Sequence, residues 1–134
     1  MAAPRPTHGP RPEDTTILVV DDDPVTLTLV ERTLRAAGYR VWTAGRAAEA
    51  RKLLAELAGA VDLVLTDIAM PGGLGSDLAL QIRSTQRWVR VIFMSSYSRD
   101  HLATHGVELG QAHFLGKPFQ PAQLLQVIRE ALTA

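Results

Sequence analysis

The sequence predicts an α/β fold, one parallel sheet of five strands with helices on both of its faces. Three observations carry that prediction. From Thr16 onward, short β-branched runs alternate with stretches whose apolar residues recur at helical spacing. The strongest runs, Ile17-Leu18-Val19-Val20 and Leu63-Val64-Leu65, are apolar at consecutive positions, as strands covered on both faces of a parallel sheet are. The 134 residues suffice for one hydrophobic core and show no internal repeat, so a second domain is not expected.

Each element has its own signal. Strand 1 covers 17–20. Asp23-Pro24 reads as a helix N-cap followed by proline at the first helical position. Leu27, Val30, Leu34 and Ala37 then share one face of helix 1, and Gly38 is a natural stop. Strand 2, at 40–43, is shorter and more polar, which places it nearer an edge. Helix 2, at 46–57, sets Ala47, Ala50, Leu54 and Leu57 on one side. Strand 3, at 63–66, is the most apolar and is expected at the centre. Helix 3 follows at 77–84, strand 4 at 89–94, a short polar helix 4 at 99–107, strand 5 at 112–115 and helix 5 at 121–132. Residues 1–15 contain four prolines and no apolar core, so they read as a flexible tail rather than a secretory signal. The domain itself is then 16–134.

Composition excludes several function classes. Lys+Arg and Asp+Glu number 14 each, so no global field draws nucleic acid or a membrane surface, and functional charge must be local. Arg5 and Arg11 are too few for a nucleic-acid arm. The absence of cysteine rules out disulfides and thiolate metal sites and favours a cytoplasmic protein. No apolar stretch approaches the roughly 20 residues that span a bilayer.

Polar residues fall on strand ends with a regularity that surface charge lacks. Asp21 and Asp22 follow strand 1, Asp67 ends strand 3, Ser95 follows strand 4 and Lys117 follows strand 5. Open α/β sheets bind ligands beyond the carboxyl ends of their strands, so these residues are expected to converge. Crowded carboxylates repel one another and call for a cation. An oxygen-only donor set suits a hard ion, Mg²⁺ first and Mn²⁺ as a substitute. A metal beside Asp67 would neutralise an incoming phosphoryl group and let the carboxylate act as its acceptor. Lys117 and the Ser95 hydroxyl are the right types to hold two phosphoryl oxygens. Asp23 is accounted for by capping helix 1. His101 and His105 stand four apart, a spacing that binds metal, but without a third ligand they read as a solvated helix face.

The segments ILVVDDDP, DLVLTDIAMPGG, VIFMSSYS and FLGKPF together resemble the response-regulator receiver domain of two-component signalling, over roughly residues 15–133. The resemblance implies a (βα)5 flavodoxin-like, doubly wound sheet with strand order 2-1-3-4-5. It implies Asp67 as phosphoacceptor, Asp22 as a direct metal ligand, Asp21 as its partner through a metal-bound water, and Ala69 as a donor through its backbone carbonyl. Ser95 matches the family's switch hydroxyl, Phe114 its aromatic switch, and Lys117 the lysine that pairs with the phosphoryl group, with a cis peptide at Lys117-Pro118. Phe114 by itself reads equally well as core. The implied function is Mg²⁺-dependent transfer of a phosphoryl group from a kinase phosphohistidine to Asp67, switching the helix 4–strand 5–helix 5 face. The resemblance thus implies a phosphoacceptor rather than an enzyme with an external substrate.

Implied partners are a histidine kinase or histidine phosphotransfer protein and a downstream protein or fused domain. A phosphorylation-linked dimer stays open. The initiating methionine and the tail favour a stand-alone receiver, whereas the MPGG and FMSSYS wording resembles receivers attached to hybrid histidine kinases. Ala69, where many members carry a polar side chain, and Tyr97, beside the path of attacking water, predict a long-lived phosphorylated state. Ser96 replaces a smaller residue and predicts slightly slower transfer. The rival readings are a receiver-like module that is never phosphorylated and a phosphatase with an aspartyl nucleophile. The phosphatase commonly wants a second acid where Ala69 stands.

Overall fold

Apolar runs at the predicted places become the strands of one sheet. A computed structural model of the chain describes residues 11–57, 59–70, 73–85, 88–106, 109–110 and 112–133. The strands are β1 (Thr16–Val20), β2 (Arg40–Ala44), β3 (Leu63–Asp67), β4 (Arg90–Ser95) and β5 (His113–Gly116). All are parallel, in the spatial order β2-β1-β3-β4-β5, which is the expected 2-1-3-4-5 arrangement. The helices are α1 (Pro24–Ala36), α2 (Ala47–Glu56), α3 (Gly75–Thr85), α4 (Arg99–Thr104) and α5 (Pro121–Thr133). A two-residue antiparallel ladder pairs Ala69–Met70 with Gly73–Leu74 just after β3, a feature the sequence did not announce.

Side-chain alternation along the strands divides the core into two layers. On one face Ile17, Val19, Leu63, Leu65, Ile92 and Met94 pack with Val30 and Leu34 of α1 and Leu124, Ile128 and Ala131 of α5. On the other, Leu18, Val20 and Val64 meet Ala47, Ala50 and Leu54 of α2 and Leu78 and Ile82 of α3. Val91 and Phe93 continue this second face toward Leu102 of α4. Burying both faces explains why β1 is solid apolar, and why the edge strand β2, exposed at Arg40 and Trp42, is not.

Local signals set the helix ends. The Asp23 carboxylate accepts from Val25 N at 3.0 Å and caps α1 ahead of Pro24, as the sequence indicated. Gly38 ends that helix at φ +99°, with its N–H donating to Arg35 O at 2.9 Å. Several boundaries differ by a residue or two from expectation. β2 gains Ala44 and β4 gains Ser95, because parallel pairing continues through Val20↔Ala44 and Ser95↔Gly116. α3 begins at Gly75, two residues early. The described part of α4 stops at Thr104; the expected end at Val107 lies outside the described residues, as do Pro71 and Gly72, Ala134 and residues 1–10 of the expected tail. Residues 11–15 of that tail are built into the fold. Pro12–Asp14 forms a 3-10 turn, Thr15 is buried, and its carbonyl accepts from Arg40 N at 3.0 Å.

Candidate functional site

Strand order reverses about β1, whose neighbours are β2 and β3, and the polar strand ends meet at the carboxyl edge beside that reversal. Carboxylate oxygens of Asp21, Asp22 and Asp67 all lie within 4.8 Å of one another. Asp21 is fully buried, Asp67 partly buried and Asp22 exposed, so the three acids run from an anchored one to one that faces solvent. Asp21 is held from both sides. Its Oδ1 accepts from Asp23 N at 2.9 Å and its Oδ2 from Lys117 Nζ at 2.7 Å. The same Nζ donates to Asp67 Oδ2 at 3.2 Å, so one ammonium bridges the two strand ends.

Burial raises the Asp67 carboxyl above its ordinary value; the Lys117 charge opposes that shift and the Asp21 charge adds to it. For Lys117 burial acts downward, but hydrogen bonds and charges from Asp21 and Asp67 outweigh it and hold the ammonium above its ordinary value. The lysine stays cationic at neutral pH, and the net charge of three acids and one base still leaves room for a cation. Oxygen donors without nitrogen or sulfur fit Mg²⁺ or Mn²⁺, as expected. Asp23 is outside this group. Its carboxyl is lowered first by the Thr26 hydroxyl and then by Val25 N, as a cap should be.

The remaining predicted residues do not join the acidic cluster. Ser95 is buried at the end of β4, where its carbonyl accepts from Lys117 N at 2.8 Å, but its hydroxyl accepts from Tyr97 N at 2.9 Å. Phe114 pairs with Phe93 in the ladder and packs partly buried against the cluster that includes Ile68, Leu102 and Leu109. Ala69 is exposed, and its backbone amide hydrogen bonds to Asp67. The Lys117-Pro118 bond is cis. Sequence reasoning missed Arg99. Its guanidinium donates to Ala112 O at 2.6 Å and Gly110 O at 3.3 Å and lies 5.7 Å from the centre of the Phe114 ring. An arginine opening a polar helix carries no signal for contacts eleven to fifteen residues away.

A five-stranded doubly wound sheet with a lysine-bridged acidic cluster at its switch point places the protein in the CheY-like class of flavodoxin folds. The chain belongs to the response regulator receiver domain family, whose sequence model matches residues 17–129. It is 36% identical over 118 residues to the sensor kinase CckA of Brucella abortus, covering 88% of this chain and 12% of that protein. The chain spans between 12% and 48% of the length of the first several curated relatives it matches. Among solved structures it is similar to the chemotaxis response regulator CheY4 of Vibrio cholerae, with 28% identity and a TM-score of 0.77 over 88% of this chain and 98% of that one. It is also similar to the response regulator TrrA of Thermotoga maritima, solved in complex with Mg²⁺–BeF. There the identity is 32% and the TM-score 0.73, over 88% of this chain and 99% of that one.

Proposed function

We propose that this receiver accepts a phosphoryl group on Asp67 in a Mg²⁺-dependent reaction. The observation that carries the reading is the single ammonium of Lys117 shared between buried Asp21 and half-open Asp67, beside an exposed third carboxylate, Asp22. An Asp67 oxygen attacks the phosphorus of a phosphohistidine or a small acyl phosphate. The new P–O bond forms as the donor's P–N or P–O bond breaks, and the leaving group departs with its electron pair. Lys117 offsets charge that develops on the transferring oxygens. Asp22 and Asp67 directly, Asp21 through water and the Ala69 carbonyl are the donors that would hold Mg²⁺, which supplies charge neutralisation at the phosphoryl group. The Mg²⁺ complex of the Thermotoga maritima relative supports this choice of ion.

The phosphoryl group adds about 1.5 to 2 negative charges and three acceptors. The Ser95 hydroxyl is then drawn from Tyr97 N toward the phosphoryl oxygens, Phe114 moves with it, and the α4–β5–α5 face changes shape. A histidine kinase or phosphotransfer protein is the proposed donor and a protein partner or fused domain the proposed reader, in the cytoplasm. Among the described residues no helix is long and apolar enough to cross a membrane. Ala69 and exposed Tyr97 slow attack by water on the acyl phosphate, so Ala69→Asn should shorten its lifetime.

Incubation with acetyl phosphate and Mg²⁺ tests the central reading. Intact mass should rise by one phosphoryl group, and Asp67→Asn should abolish the gain. No uptake by the parent chain, or equal uptake by the variant, would overturn it.

A further inference from the structure

His101 in α4 and His105, the residue that caps its end, acquire in three dimensions an arrangement their spacing alone did not establish. His101 and His105 are both exposed, and His105 N still donates to His101 O at 3.2 Å, so helical geometry persists through the second residue. Residues four apart stand one above the other on one helix face. Their ring centroids are 4.3 Å apart with planes tilted by 33°, so the two exposed imidazoles are in tilted ring contact. His105 Nδ1 lies 3.0 Å from the His101 carbonyl oxygen. A carbonyl only accepts, so Nδ1 is the donor in this contact and, in the neutral ring, Nε2 keeps its lone pair. Metal-bound histidines are oriented in this way, one ring nitrogen donating to a backbone carbonyl and the other free to coordinate. Tyr97 stacks on His101 at 4.7 Å with a 14° tilt and supports that ring. The Ser98 hydroxyl accepts from His101 N at 3.0 Å and fixes its backbone.

We propose that His101 and His105 form a two-imidazole site for a borderline divalent cation, of the Zn²⁺ or Ni²⁺ type, separate from the carboxylate cluster. Ligand chemistry divides the two sites. Imidazole nitrogens select Zn²⁺, Ni²⁺ and Cu²⁺, whereas the oxygen-only cluster selects hard ions. Among the described residues the three aspartates are the only group of three or more candidate ligands, so water would fill the positions that the two histidines leave open. A metal bridging successive turns would also pin a helix that spans only Arg99–Thr104.

The test is calorimetric titration of the full chain, free of any histidine tag, with Zn²⁺ in the presence of excess Mg²⁺. One Zn²⁺ should bind per chain in the parent and in His8→Ala and His113→Ala. His101→Ala and His105→Ala should each weaken binding by at least about tenfold, the lower end of what losing even an outer partner of a ligand costs. Both side chains are exposed, so these variants keep the fold. Backbone amide exchange at 102–105 should slow with Zn²⁺ in the parent and not in the two α4 variants. Absence of saturable Zn²⁺ binding in the parent, or binding that survives both α4 substitutions, would leave the pair as an aromatic stack and overturn the site. Neither outcome depends on whether Asp67 accepts phosphate.

Discussion

Lys117 compensates the buried carboxylate of Asp21, and removing it exposes what that burial costs. Breaking a buried pair leaves an uncompensated charge, typically about 3–5 kcal/mol. Lys117 and Asp67 retain some solvent contact, so Lys117→Met should cost roughly the lower end of that range in Mg²⁺-free urea denaturation. Mg²⁺ should recover part of the loss by supplying another positive charge.

Asp67 has the opposite sign of effect. Its carboxyl is raised in the folded state, first by burial, so the fold binds that proton more tightly than the unfolded chain does. Stability from this group is therefore full below the ordinary value of 3.8 and is lost as pH rises through the raised folded value. Asp67→Asn should be more stable than the parent at neutral pH without Mg²⁺, and the two should converge in strong acid. Equilibrium unfolding as a function of pH checks both statements. Mg²⁺ should raise the melting temperature of the parent, by the equivalent of about 2.7 kcal/mol at one hundred times its dissociation constant, and do so far less in Asp22→Asn. The charged members of the site were legible because each sits at a strand end that hydrophobic patterning reveals. The Ser95 hydroxyl bond to Tyr97 N and the Arg99 contacts were not, since a rotamer and a long-range hydrogen bond leave no periodic trace.

At the level of elements, the helix ends illustrate which sequence signals are reliable. Asp23-Pro24 and Gly38 bracket α1 as read, because capping chemistry and positive φ are local demands. Gly38 has a second constraint that no local reading finds. A Cβ there would come within 3.2 Å of the Pro12 Cβ, so the 3-10 turn and the end of α1 are in close contact. Gly38→Ala should cost about 1 kcal/mol or more, through left-handed strain and this approach together, measured as a shift in the urea midpoint. The same non-local contact explains why 11–15 looked like tail: prolines without an apolar run signal irregular backbone but do not say what it touches. The β2 edge carries a protective device. Arg35 Nη2 donates to Val41 O at 2.7 Å, occupying a carbonyl on an edge strand.

For the whole molecule, two apolar layers around one sheet mean that damage in the centre spreads to both ends of the sheet. Leu65 is fully buried in the layer shared by α1 and α5. Leu65→Ala should cost about 2–5 kcal/mol in a cooperative unfolding transition. Strand count and parallel pairing were legible, because buried parallel strands write unbroken apolar runs. The two-residue ladder at Ala69–Met70 and Gly73–Leu74 was not, because so short a pairing has no period of its own.

The 3-10 turn at Pro12–Asp14 fixes a polarity for traffic around the domain. It lies just ahead of the first residue of β1, and the acidic cluster begins just past the last, so the full length of a five-residue strand, about 16 Å, separates them. Arg11, the first described residue, therefore stands at the opposite pole from Asp67. A label placed on Arg11 should therefore report on the strand-start pole and leave the carboxylate cluster untouched.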